Sequence, residues 1–211
     1  MRFIEDLRAE HVLIERVVGS LQTWAGARVR GEADASDGPA FLRFFRLYAG
    51  RYHHAREEQL LFPALIEHGE VPADRGPIPA LLHDHRAMAE LLDALALALD
   101  DPEVLARHAD AYGRALLHHV DAENGVLFPE CEARLGRSGA PDLPDRKPDP
   151  EEAAAQEEGA RLAERHPPTE PPDMIRGESC TTCPAFGVRC EGVELEWWSD
   201  HEWDDFNDRV G

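Results

Sequence analysis

Two stretches of this 211-residue chain repeat one spacing of chemically demanding side chains. The first reads Tyr52-His53-His54-Ala55-Arg56-Glu57-Glu58-Gln59-Leu60-Leu61-Phe62-Pro63, and the second His118-His119-Val120-Asp121-Ala122-Glu123-Asn124-Gly125-Val126-Leu127-Phe128-Pro129. In each, Phe-Pro stands nine and ten residues after one of two adjacent histidines, which fixes the register. His53 answers His119, and Glu57 answers Glu123. Residues four apart on a helix share a face one turn apart. Each copy therefore offers an imidazole and a carboxylate to one point in space, and two copies suggest a site for two metal ions.

The flanking sequence predicts four helices within residues 1–135. The first runs from about Ile4 to Ala27, with the apolar stripe Ile4, Leu7, His11, Ile14, Val18, Leu21 and Ala25. After a Gly/Asp/Ser-rich loop, Pro39 is placed to start the second helix, whose stripe is Leu42, Phe45, Ala49, His53, Glu57, Leu60 and Ala64. Pro63 is expected to kink or shorten its last turn. The third stripe is Ile78, Leu81, His85, Met88, Leu92, Leu95 and Leu99. Asp101-Pro102 then breaks the chain, with Asp101 as a cap, and the fourth stripe is Leu105, His108, Tyr112, Leu116, His119, Glu123 and Leu127. Short connections between long helices favour an all-α, up-down-up-down antiparallel four-helix bundle.

Each stripe carries one of His11, His53, His85 and His119 where periodicity demands a core residue. Two stripes add Glu57 and Glu123. A buried carboxylate without a partner is costly, and two facing each other in one core are worse unless a cation lies between them. One such histidine alone reads as a hydrogen-bonded core residue; four with two glutamates, in matching copies, do not. Imidazole with carboxylate suits iron, manganese or zinc better than calcium, and paired ions in a helical bundle suit two irons best. Each ion would take two imidazoles and share both carboxylates, leaving positions open to water, hydroxide, oxygen, peroxide or nitric oxide. Glu10 and Asp84, immediately before His11 and His85, read as outer partners of a ligand or, more readily, as solvent-facing neighbours.

Over about 130 residues the chain resembles the hemerythrin-like (HHE cation-binding) proteins. The resemblance rests on Glu10-His11, HHAREEQLLFP at 53–63, GPIPALLHDH at 76–85 and HHVDAENGVLFP at 118–129. It implies a four-helix bundle holding a non-heme di-iron centre, with ligands His11, His53, Glu57, His85, His119 and Glu123. Glu57 and Glu123 match the bridging carboxylates. Oxygen-carrying members have a second histidine one turn beyond the third-helix ligand, where this chain has Ala89. That departure weakens the case for reversible oxygen carriage. The missing ligand leaves an open position or admits another group; His54, Glu58, His108 and Tyr112 are the nearby candidates by stripe or sequence, although the repeat sets His54 opposite Val120. His83 and His118 point off the stripes and read as surface residues.

Residues 136–178 read as a disordered, Pro/Glu-rich acidic linker, with a short helix at most across 151–164. Residues 179–211 form a separate cysteine- and aromatic-containing tail. Cys180, Cys183, Cys190 and His201 offer a second metal or redox site, such as zinc held by three cysteines and a histidine. Trp197, Trp198, Trp203 and Phe206 suit docking on the bundle or on a protein partner. Cys131 reads as an inert thiol.

Net charge is −20, with 14 basic and 23 acidic residues over 1–135 and 8 and 19 over 136–211. Such a field repels nucleic acid and anionic membranes. The absence of an apolar leader or a spanning segment points to a cytoplasmic protein. The expected function is binding or sensing of oxygen, nitric oxide or iron by two iron ions. Alternatives are a di-iron enzyme acting on hydrogen peroxide or nitric oxide, and an iron- or redox-responsive regulator working through the cysteine tail. No nucleophile or base stands out beyond the ligands, so binding is favoured over catalysis.

Overall fold

A computed structural model of the chain describes residues 1–140, 142–144 and 146–169. The described residues form helices and connections, with no strand among them. Helix α1 spans Arg2–Val29, and every residue of its predicted stripe is buried. Val17 and Trp24 widen that stripe, and the Trp24 indole donates to the Asp34 carbonyl at 3.1 Å, tying down the following loop.

Helix α2 is continuous over 38–68. It is α-helical over Gly38–Arg43, π-helical over Phe44–His54 and Glu57–Leu61, and α-helical again over Phe62–His68. Helix α3 spans Pro77–Leu97 and so stops short of Leu99. Helix α4 covers 102–138, as Pro102–Ala122, a π-helical Glu123–Leu127, and Phe128–Ser138. Asp101 caps it by accepting from the Val104 amide at 3.1 Å. Gly139, left-handed at φ 67°, ends it.

The kink expected at Pro63 is instead a widened turn, and Pro129 repeats it. Proline has no N–H to donate and its ring crowds the carbonyl four residues earlier. In both copies the phenylalanine before the proline donates five residues back, Phe62 to Glu57 and Phe128 to Glu123. The repeated Leu-Phe-Pro therefore sets a π-turn opening at each glutamate, a local irregularity common at functional sites.

The apolar core falls into two clusters. One contains Ile14 to Ala25, Phe41 to Tyr52, Met88 to Leu95 and Leu105 to Val120. The other contains Phe3, Ile4, Leu7, Leu61 to Leu65, Ile78, Leu81 and Ala122 to Leu135. Helix α1 passes from the second cluster to the first, α2 returns, α3 repeats α1 and α4 repeats α2. On every helix the histidine lies at the change-over, so a polar layer divides the core.

A fifth helix, α5, spans Pro150–Arg165 within the stretch expected to be a disordered linker. It packs on α1 and α2 and buries Ala155, Leu162 and Ala163 in the first cluster. The packed body thus extends past residue 135. Asp149 and Glu152 form a reciprocal capping box at its start. Arg51 of α2 binds Asp149, Glu151 and Glu152, and Arg43 binds Glu158. The acidic run that reads as solvated is in fact matched to arginines on the outer face of α2. Gly159 lies directly against the Phe44 ring, where a Cβ would collide. Cys180, Cys183, Cys190, His201 and the tryptophans of the tail lie outside the described residues.

Candidate metal centre

His11, His53, His85 and His119 arrive from four helices with Nε2 turned inward. The Nε2 atoms of His11 and His53 are 2.9 Å apart, and those of His85 and His119 are 3.1 Å apart. Glu57 and Glu123 lie between these two pairs, both with 0% exposure. Glu57 turns Oε1 to His53 Nε2 at 3.5 Å and Oε2 to His85 Nε2 at 3.7 Å. Glu123 turns Oε2 to His11 Nε2 at 3.2 Å and Oε1 to His119 Nε2 at 3.3 Å. Each carboxylate therefore divides its oxygens between the two imidazole pairs.

The outward nitrogens have their own partners. His53 Nδ1 lies 2.8 Å from Glu10, His85 Nδ1 2.7 Å from Glu58 and His11 Nδ1 3.0 Å from the Asn124 side-chain oxygen. Asp84 stands 3.6 Å from His119 Nδ1, at ion-pair range and too long for a hydrogen bond. Acceptors on this side place the proton on Nδ1 and leave the Nε2 lone pair facing inward, as a metal ligand requires. Glu10 is thus the hydrogen-bond partner of the opposite helix's histidine, whereas Asp84 stays partly solvent-exposed and only lends its charge to His119. Glu10 is also held by the buried Arg56 guanidinium, which lies over the Phe3 and Tyr52 rings at 4.7 and 5.0 Å.

The partners follow the repeat. The acid before each single histidine (Glu10, Asp84) serves the histidine of a repeat copy. The residue after each inner glutamate (Glu58, Asn124) serves a single histidine. Sequence reasoning passed over Glu58 and Asn124 as orienting groups, although their matched position after Glu57 and Glu123 was a signal.

Without a cation this arrangement is unfavourable. Both oxygens of Glu57 and both of Glu123 are buried without a hydrogen-bond partner other than the facing carboxyl. Burial raises both carboxyls well above the ordinary carboxylate range, and for Glu57 the neighbouring Glu123 adds to the rise. Burial lowers His11, His53 and His54, and holds His119 at about 3, so these imidazoles stay neutral near neutral pH. Paired Nε2 lone pairs then face one another across about 3 Å. Two donor atoms, each about 2.1 Å from one ion and at right angles, lie about 3.0 Å apart. The observed spacings match that edge, so the donor set fits bound metal.

Two groups of four bring their ligand atoms within 4.8 Å of one another: His11, His53, Glu57 and Glu123, and His54, Glu57, His85 and His119. His54, which the repeat argued against, thus joins the second group. Ala89 is exposed, and Met88 fills the core beside it. Tyr112 is a core aromatic set edge-on to Phe45 at 4.9 Å, and His108 is half-buried. His83 and His118 are exposed, in keeping with their place off the stripes. Cys131 is a buried free thiol that burial makes still harder to ionise.

The model of the hemerythrin HHE cation-binding domain matches residues 2–131. The iron-sulfur cluster repair protein YtfE of Edwardsiella ictaluri (strain 93-146) is 36% identical over 89 residues, a match covering 37% of this chain and 40% of that protein. The matched stretch is thus well under half of that relative's length. No solved structure matches the chain.

Proposed function

This chain belongs to the hemerythrin HHE cation-binding family, and we propose that it is a di-iron binding protein whose centre handles iron or a small ligand such as oxygen, nitric oxide or peroxide. His11 and His53 would serve one ion, His85 and His119 the other, with Glu57 and Glu123 spanning both. The observation that carries this reading is the pair of fully buried glutamates whose unpartnered oxygens are shared between two imidazole pairs. We read the alternation of α1 to α4 between the two core clusters as an up-down-up-down antiparallel bundle.

Bound iron would supply one-electron redox chemistry and open coordination positions. The chain's own residues supply the rest. Glu10, Glu58 and Asn124 fix the imidazole tautomers, and Asp84 places a charge beside His119. The apolar clusters on either side exclude water from the layer. The name of the YtfE relative, iron-sulfur cluster repair, favours a role in iron handling. Among the described residues no helix is long and apolar enough to cross a membrane.

Anaerobic reconstitution with ferrous iron, followed by elemental analysis, tests the reading. About two irons per chain are expected, and Glu57→Ala and Glu123→Ala should each lose most of them. Full occupancy in both variants would show that the glutamates are not ligands.

A further inference from the structure

We propose that His54 is a fifth imidazole ligand, serving the same ion as His85 and His119. The proposal rests on the di-iron reading. On a regular helix the neighbour of an inward-facing residue turns well away from it. Here the π-helical course of Phe44–His54 widens the turn just before the centre. Both His53 and His54 are buried, at 1% and 8% exposure.

The His54 ring lies among imidazoles. It stacks on His85 with centroids 4.0 Å apart and planes 8° apart, and meets His119 edge-on at 5.4 Å. One of its ring nitrogens lies within 4.8 Å of ligand atoms of Glu57, His85 and His119. The stacked rings bring the two imidazoles side by side, with a nitrogen of each within reach of the same Glu57 and His119 ligand atoms. Helix α3 offers no competing donor one turn beyond His85, because Ala89 has no ligating atom.

The consequence is an asymmetry that the repeat alone does not contain. The second copy has Val120 where the first has His54, so no equivalent donor reaches the His11–His53 position. One ion receives three imidazoles and the other two, with the same pair of carboxylates. The two positions then differ in affinity, and the His54–His85–His119 position fills first and empties last.

Anaerobic titration of the full chain with Co(II), followed by calorimetry and visible absorption, tests this. The wild-type chain should bind two ions with unequal affinities. His54→Gln and His54→Ala should each weaken the tighter position by at least about tenfold, the loss that even an outer partner of a ligand brings. The weaker position and the far-ultraviolet circular dichroism should be unchanged. His54→Gln retains most of the side-chain volume, should the smaller variant fold poorly. Free imidazole should restore the tight position in His54→Ala. Two ions bound with unchanged affinities and spectrum in both variants would overturn the assignment and leave the di-iron reading standing. A wild-type chain that binds fewer than two ions would sink both.

Discussion

Replacing Glu57 by Met should stabilise the metal-free protein while depriving it of metal. Glu57 is fully buried, and its oxygens have no hydrogen-bond partner apart from the second buried carboxyl, Glu123, beside it. A buried polar group left unsatisfied costs about 1–3 kcal/mol, and more when charged. Methionine is unbranched, similar in length, apolar and a good helix former, so it fills the space without that penalty. The gain should be about 1–3 kcal/mol, which for a chain of this size raises the melting temperature by about 2–12 °C. With metal the order reverses. Free metal at a thousand times Kd stabilises the wild type by about 4 kcal/mol, whereas the variant would lack the oxygens that the proposed centre offers to its ions. Thermal unfolding followed by circular dichroism, with chelator and with excess metal, reads both arms. A metal-free Glu57→Met that melts below metal-free wild type would refute the reasoning, because the carboxyl would then be satisfied by protein groups and no cation would be needed.

Glu10→Gln should be strongly destabilising, by about 3–5 kcal/mol, because it removes the carboxylate paired with Arg56, which is 1% exposed; chemical denaturation measures this, and a change below about 1 kcal/mol would contradict it. Metal loading should release protons near neutral pH. Glu57 and Glu123 titrate higher in the folded chain, so their contribution to metal-free stability is fullest below the ordinary carboxylate range and is lost as pH rises through the raised values. Metal binding displaces those protons, so affinity should rise about tenfold per pH unit for each proton released; calorimetry showing no dependence on buffer ionisation enthalpy would contradict it. Gly159→Ala should destabilise despite better helix propensity, because the added Cβ collides with Phe44 and overpacking costs about 1–3 kcal/mol against about 1 kcal/mol gained; equilibrium unfolding decides the sign.

The four stripes were legible because each helix has one face in the core, and a 3.6-residue period records that face directly. His11, His53, His85, His119, Glu57 and Glu123 stood out as polar residues at apolar positions. Groups whose placement depends on a neighbouring helix were not legible. Glu10 and Asp84 lie one residue from a ligand, where periodicity points outward, yet each meets a histidine of another helix. The short helix at 151–164 was legible, but its packing on the bundle was not, because its acids look solvated unless the arginines of α2 are known to face them. His54 was discounted because the repeat sets it against Val120, and repeat logic cannot see a π-helical turn that buries both members of an adjacent pair. The two prolines signalled only the later π turns at Glu57–Leu61 and Glu123–Leu127, where a residue without an amide proton widens the turn before it; no proline marks Phe44–His54.

The central claim is that Glu57 and Glu123 each span two ions. Mössbauer spectroscopy of the chain loaded with iron-57 and oxidised, recorded in an applied field at low temperature, tests it most directly. Two ferric ions joined through shared carboxylates are magnetically coupled, and the account predicts that all of the iron falls in a diamagnetic ground state. Two independent paramagnetic ferric signals, or a single iron per chain, would contradict it.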